Sequence, residues 1–268
     1  MSTKIAIVGC GNMGLIYARA FLKYNIVSAK DLFLVEKNSE RQRQLKGMNL
    51  GNVVTLEETT LPKFNIVLLC TKPQDFNSIK KNIKTIITEK TVVISIMAGI
   101  TINTIKKSLA SENIVRAMPN SPAEFGLGMT AFTTYKTLKP EMFRAAEQLL
   151  ASTGRCIYLE KEKDLNAVTA LSGSGPAYFF YFVKQLIDSG VAMGLSESTS
   201  AQLVKQTMLG SFHLINNAHK PLDDLIATVA SKGGTTEAAL SKFEKHDLPR
   251  SIKEALVAAC KRAEELAS

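Results

Sequence analysis

The hexad Gly9-Cys10-Gly11-Asn12-Met13-Gly14 constrains the fold of this chain more than any other feature, because of what flanks it. The short apolar run from Lys4 to Val8 precedes it, and helical periodicity through Leu15, Ala18, Phe21 and Leu22 follows. Strand, G-x-G-x-x-G, helix is the context in which this motif reads as a dinucleotide-binding turn. Gly9 makes the tight turn, Gly11 lets a pyrophosphate approach the backbone, and Gly14 lets helix and strand pack closely. Cys10, Asn12 and Met13 complete the phosphate-facing loop. A second strand, Leu32 to Val35, ends in Glu36, about 20 residues beyond the glycines, where the fingerprint asks for an acidic residue. Such a side chain accepts hydrogen bonds from the adenosine ribose hydroxyls and repels a 2′-phosphate. Lys37 and Arg41 follow and soften that repulsion, so the reading leans to NADH and admits NADPH.

The alternation continues. Ile66 to Cys70 is a continuous apolar run of the buried parallel type, broken at Thr71-Lys72-Pro73. Val92 to Ile96 breaks at Met97-Ala98-Gly99, and Ile114 to Met118 at Pro119-Asn120-Ser121-Pro122. In an open α/β sheet these loops emerge on one edge, where ligands bind. Cys70, Thr71, Lys72 and Pro73, with Met97, Ala98 and Gly99, are therefore candidate cofactor residues, and Asn120 a candidate for the substrate. Ser121 reads as ordinary loop chemistry. Met129 to Thr134, a helix from Pro140 to Ala151, and Cys156 to Leu159 complete the sheet. The expected division is an α/β Rossmann-type domain over 1–160 and an all-helical domain over 161–268.

Beyond residue 160 no strand pattern appears. Asp164 to Leu171 leads through Ser172-Gly173-Ser174-Gly175-Pro176, read as a hinge, into a helix from Ala177 to Met193. Its start, Tyr178-Phe179-Phe180-Tyr181-Phe182, is aromatic around its whole circumference, so it needs cover on several sides and points to a subunit interface. The alternative is a central helix buried within one subunit. Helices near Ser198–Asn216 and Leu222–Ala230 follow, and a last one spans Pro249–Leu266. Between them lies Ser231-Lys232-Gly233-Gly234-Thr235-Thr236, a polar turn opening a helix at Thr235. Amides at a helix start lack intrahelical partners and carry partial positive charge, so this turn reads as a seat for a carboxylate or phosphate. A glycine-rich connection with ordinary threonine capping is the plainer reading.

Composition narrows the classes. The net charge of +9 comes from scattered lysines, among them Lys80, Lys81, Lys84, Lys106 and Lys107, which read as solvated helix faces. No nucleic-acid module or aromatic-interleaved basic patch is present, and no apolar run approaches the roughly 20 residues of a membrane span. The Met1-Ser2-Thr3-Lys4 start leads straight into a strand without a secretory leader. Cys10, Cys70, Cys156 and Cys260 are scattered, and the first two read as small buried side chains at strand ends, which suits a reducing cytoplasm. Three histidines, His213, His219 and His246, form no ligand cluster, so no metal site is expected.

Five segments together resemble the pyrroline-5-carboxylate reductase family. They are Ile-Val-Gly-Cys-Gly-Asn-Met-Gly at 7–14, Thr-Lys-Pro at 71–73, Arg-Ala-Met-Pro-Asn-Ser-Pro at 116–122, Thr-Ala-Leu-Ser-Gly-Ser-Gly-Pro-Ala-Tyr at 169–178 and Ser-Lys-Gly-Gly-Thr-Thr at 231–236. The resemblance implies a Rossmann domain followed by a helical dimerisation domain, intertwined dimers often built into larger rings, and an active site shared between one subunit's Rossmann domain and its partner's helices. It also implies hydride transfer from NADPH or NADH to the C=N carbon of 1-pyrroline-5-carboxylate, C5 of the L-proline formed. By the same resemblance the Thr236 hydroxyl lies against the ring nitrogen as the catalytic contact. Ser231 and the backbone of Gly233, Gly234 and Thr235 hold the carboxylate. Three residues depart from the family pattern: Lys232 where proline is usual, Glu57 near a common cofactor-reaching asparagine, and Glu36 in place of small polar residues. The rival readings are a reductase of another cyclic imine, a β-hydroxyacid dehydrogenase using Lys161 or Lys163, and a nucleotide sensor without turnover.

Overall fold

Short apolar runs bracketed by turn residues form the strands of a single sheet. The computed structural model describes residues 3–58, 61–135 and 138–267, so the Met1-Ser2 start lies outside the described residues. Strands β1 (Ile5–Val8), β2 (Leu32–Val35), β3 (Asn52–Val54), β4 (Ile66–Leu69) and β5 (Val92–Ser95) are joined by β6 (Ile114–Met118), β7 (Gly128–Thr134) and β8 (Gly154–Tyr158). Their order is β3-β2-β1-β4-β5-β6-β7-β8, with β6 and β7 antiparallel and the other pairs parallel. β1, β4 and β5 are buried along their whole length, as parallel strands covered on both faces must be. On one face, α1 (Asn12–Lys23), α2 (Ser39–Gly47) and α5 (Pro140–Ala151) bring Tyr17, Phe21, Leu45, Leu149 and Leu150 against Ile5, Ile7, Leu32 and Leu34. On the other, α3 (Phe76–Ile86) and α4 (Ile102–Leu109) bring Phe76, Ile83, Ile105 and Leu109 against Ala6, Val8, Val67 and Leu69. The strand order reverses at β1 and β4, and the crevice at such a point is where α/β sheets bind ligands.

The strands end at Tyr158, and the remainder of the chain is helical: α6 (Asp164–Val168), α7 (Gly175–Ala192), α8 (Glu197–Asn217), α9 (Leu222–Val229), α10 (Thr235–Lys245) and α11 (Leu248–Ala267). A π-helical turn, Thr169–Gly173, joins α6 to α7, so the glycine–serine stretch read as a hinge is wound into helix. The chain packs as two compact units, residues 1–174 with 259–268, and residues 175–258. By packing, the first unit runs past the expected 160/161 division because Leu165 lies in a cluster with Met118 and Ala131. Ala170 and, near the other end of the chain, Ala263 are also buried.

The second unit has an unusual interior. Its buried residues are Gly175, Gly190 and Ser200, and none of its apolar side chains is buried. α7 and α8 approach so closely at one point that a Cβ on Gly190 would come within 2.9 Å of the Ser200 Cβ. Phe179, Phe180 and Tyr181 of α7 are nonetheless 65%, 69% and 62% exposed in the single chain. A large exposed apolar patch of this kind is characteristic of an interaction surface.

Candidate active site

The glycine loop is held from three directions. Gly9 sits at φ 93°, where a side chain would be strained, and a Cβ there would come within 2.7–2.9 Å of Thr71. The β1 and β4 loops therefore touch. Glu36, one residue past β2, accepts from the Cys10 N–H (3.3 Å) through one carboxylate oxygen and from the Asn38 N–H (3.0 Å) through the other. Arg41 donates to the Cys10 carbonyl from Nε and Nη2, each at 3.2 Å, and from Nη1 to Gln44 Oε1 at 2.8 Å. Acid and base thus grip the two ends of one residue's backbone. Lys37 is drawn the other way, to a 2.9 Å ion pair with Asp75.

The residues present fit a dinucleotide. Gly11 caps α1 without any side-chain hydrogen bond, leaving the amides of Asn12 and Met13 at an uncapped helix start. A Cβ built on Gly11 meets no protein atom within 4 Å, which leaves a pyrophosphate room at that backbone. At Gly14 a Cβ would collide with the Gly9 carbonyl oxygen, so this glycine serves helix–strand packing. The Cys10 thiol is buried, and that burial, with the negative charge of Glu36 next and Arg41 opposing, pushes its pKa up to about 12. Burial also pushes the Cys70 thiol well up. The loop therefore carries no thiolate near neutral pH to repel a phosphate.

Farther along the same edge, Thr71 Oγ1 lies 3.4 Å from Met97 Sδ, and the Met97 N–H donates to Ser95 Oγ at 3.3 Å. Ala98 packs against the Met118, Ala131 and Leu165 cluster. Lys72 is exposed and precedes the 3₁₀ turn Pro73–Asp75. The cofactor candidates from Gly9 to Gly14, Glu36, Cys70 to Pro73 and Met97 to Gly99 are thus brought to one sheet edge. Asn120 is differently used: its Oδ1 accepts from the Met129 N–H at 2.8 Å, and its Nδ2 donates to the Ser172 carbonyl and hydroxyl at 3.3 Å. Both ends of that amide are taken by the protein. Lys161 and Lys163 are exposed turn residues whose carbonyls accept from Asp164 and Asn166.

In the second unit, Ser231, Gly233, Gly234, Thr235 and Thr236 form the start of α10. The Gly234 N–H donates to the Ser231 carbonyl at 2.9 Å, closing a tight turn with Gly233 at φ 72°. Gly234 is the N-cap, and no side chain caps the helix through it. The Gly233 N–H is given to Glu237 Oε2 at 2.7 Å. The amides that an anion could meet accordingly narrow to those of Thr235 and Thr236 in the first turn, beside a half-buried Thr236 and the Ser231 hydroxyl. The sequence reading missed Glu237, although its place three residues after the N-cap is the spacing of a capping box. It also missed the grip of Arg41 on Cys10, which no local pattern announces.

Similarity to known proteins covers the same ground. The family model described as pyrroline-5-carboxylate reductase dimerisation matches residues 162–266, and that described as NADP oxidoreductase, coenzyme F420-dependent, matches residues 4–99. The chain is 31% identical to the pyrroline-5-carboxylate reductase of Staphylococcus saprophyticus over 99% of its own length and 98% of that protein. The crystal structure of Plasmodium falciparum pyrroline carboxylate reductase with NADP bound superposes with a TM-score of 0.87 at 30% identity, covering 99% of this chain and 98% of that one. A pyrroline-5-carboxylate reductase structure from Coxiella burnetii gives 0.88 at 29% identity, with both chains wholly covered.

Proposed function

This chain belongs to the pyrroline-5-carboxylate reductase family, and from that premise we propose that it reduces the C=N bond of 1-pyrroline-5-carboxylate with NAD(P)H to give L-proline, a step of proline biosynthesis. The observation that carries the reading at the level of the site is the uncapped Gly-Gly-Thr-Thr start of α10. A substrate with one carboxylate beside a ring nitrogen matches a helix start that offers amides and a hydroxyl side by side.

A bound reduced dinucleotide supplies the hydride. The chain's own residues supply geometry. The uncapped start of α1 at Gly11 holds the pyrophosphate, and Glu36 takes the adenosine ribose. The Thr71 and Met97–Gly99 loops border the nicotinamide. The Thr235 and Thr236 amides with Ser231 seat the carboxylate, and the Thr236 hydroxyl orients the ring nitrogen. That nitrogen carries the proton in the iminium form, so the carbon is already electrophilic and strong acid–base groups are unnecessary. Holding both reactants in line is worth roughly 7–11 kcal/mol of the barrier. Asn120 is assigned to shaping the substrate wall through Ser172 and Met129.

Glu36 supports a preference for NADH, since an acidic side chain at the end of β2 accepts from the ribose hydroxyls and repels a 2′-phosphate. Lys37 and Arg41 are already engaged with Asp75 and Cys10. The bare aromatic face of α7 supports a homodimer, with larger assemblies of dimers as the extension, and the scattered thiols suit the cytoplasm. A spectrophotometric assay tests the whole reading. Loss of NADH with 1-pyrroline-5-carboxylate should exceed that of NADPH at equal concentration. Thr236→Ala should lower kcat by roughly 10- to 100-fold, the size of one lost polar contact, with NADH affinity retained. No reduction by the wild type with either nucleotide rejects the function, and full activity of the variant rejects the role of Thr236.

A further inference from the structure

The loop 97–101 between β5 and α4 is fixed at both ends and in the middle. Ser95 Oγ accepts from the Met97 N–H, and Ala98 is packed in the Met118 cluster. Gly99 stands at φ 77°, and a side chain there would strike the carbonyl of Leu266 near the end of α11. Thr101 caps α4, accepting from the Thr104 N–H at 3.2 Å. The first amide of that helix, Ile102 N–H, donates 2.8 Å to Glu162 Oε1, a residue 60 positions away just before α6. The same oxygen accepts from Arg116 Nη1 at 2.9 Å. Arg116 lies on β6 with its side chain only 3% exposed, and its Nε has no hydrogen-bond partner among the described residues.

Two positive ends therefore converge on one carboxylate: a buried guanidinium and the amino end of a helix whose first turn holds no acidic residue of its own. A buried cation strongly favours retention of its counter-charge, because removing one member of such a pair leaves the other stranded. This fixes Glu162, and through it the end of the loop that borders the nicotinamide. We infer that Glu162 is a positioning residue for hydride transfer, acting through the Ile102 amide and Arg116 on the 97–101 loop; this rests on the reductase reading above. Its contacts are with the Ile102 amide and the Arg116 guanidinium, so it acts through them on the loop.

The test compares Glu162→Ala and Glu162→Gln with wild type in four measurements: melting temperature, kcat, affinity for NADH by its fluorescence, and affinity for ADP-ribose, which lacks the nicotinamide. Glutamine keeps an acceptor for Ile102 and loses the charge facing Arg116, and it provides a second variant should alanine fail to fold. Misplacement of a reacting group by about 1 Å costs up to about 100-fold. The expected result is a fall in kcat of roughly 10- to 100-fold with ADP-ribose affinity unchanged and NADH fluorescence altered, less pronounced for glutamine. Variants that melt earlier yet keep the wild-type kcat and the wild-type ratio of NADH to ADP-ribose affinity would show a purely structural ion pair and overturn the inference. Inactivity of the wild type itself would instead reject the underlying reductase reading.

Discussion

Gly11 and Gly14 belong to one motif and answer to different demands. The Gly11 backbone is extended, at φ −71° and ψ −162°, and a Cβ on it meets nothing. Gly11→Val should therefore leave the melting temperature within a few degrees of wild type while weakening NADH binding by at least tenfold. Gly14→Ala drives a methyl group into the Gly9 carbonyl, and overpacking of this kind costs about 1–3 kcal/mol. It should lower the melting temperature first. Melting curves and NADH titration on both variants check the pair; equal loss of stability in the two would contradict the assignment of Gly11 to the phosphate. Residues of this kind were legible because their meaning lies within a few neighbours in sequence. Arg41 on Cys10, 31 positions away, and Arg116 on Glu162, 46 positions away, were not, since each partner is met only once the sheet has formed.

Elements follow the same division. Buried strands announced themselves as apolar runs, but β3, three residues with one buried, offers no period to read. The antiparallel direction of β7 has a simple cause: Pro119 to Leu127 is too short for a crossover, which needs a dozen or more residues. The aromatic start of α7 was read as demanding cover on several sides, and within the single chain Phe179, Phe180 and Tyr181 remain largely bare. Covering each would contribute about 3 kcal/mol at ~25 cal/mol per Å². Phe180→Asp should accordingly shift the protein from its assembled form to monomer in sedimentation analysis and lower its melting temperature. A variant that assembles like wild type would show that α7 is not the interface.

At the scale of the molecule, the first unit carries a complete core on both faces of its sheet, whereas residues 175–258 bury no apolar side chain. On the reading proposed above, association completes the helical unit and links assembly to function, because the same 84 residues carry both the bare α7 face and the α10 turn. The division of labour was visible in the sequence as a change from strand to helix patterning. Where packing places the boundary, at 174/175, was not, because the burial of Leu165 depends on strands more than 30 residues earlier. The central claim is that the amino end of α10 receives the substrate's negative group. The most direct measurement is a crystal structure of the protein with L-proline and oxidised dinucleotide. The account predicts the proline carboxylate about 2.7–3.2 Å from the Thr235 and Thr236 amides, with the ring nitrogen beside the Thr236 hydroxyl. Proline bound elsewhere, with those amides turned to solvent, would contradict it.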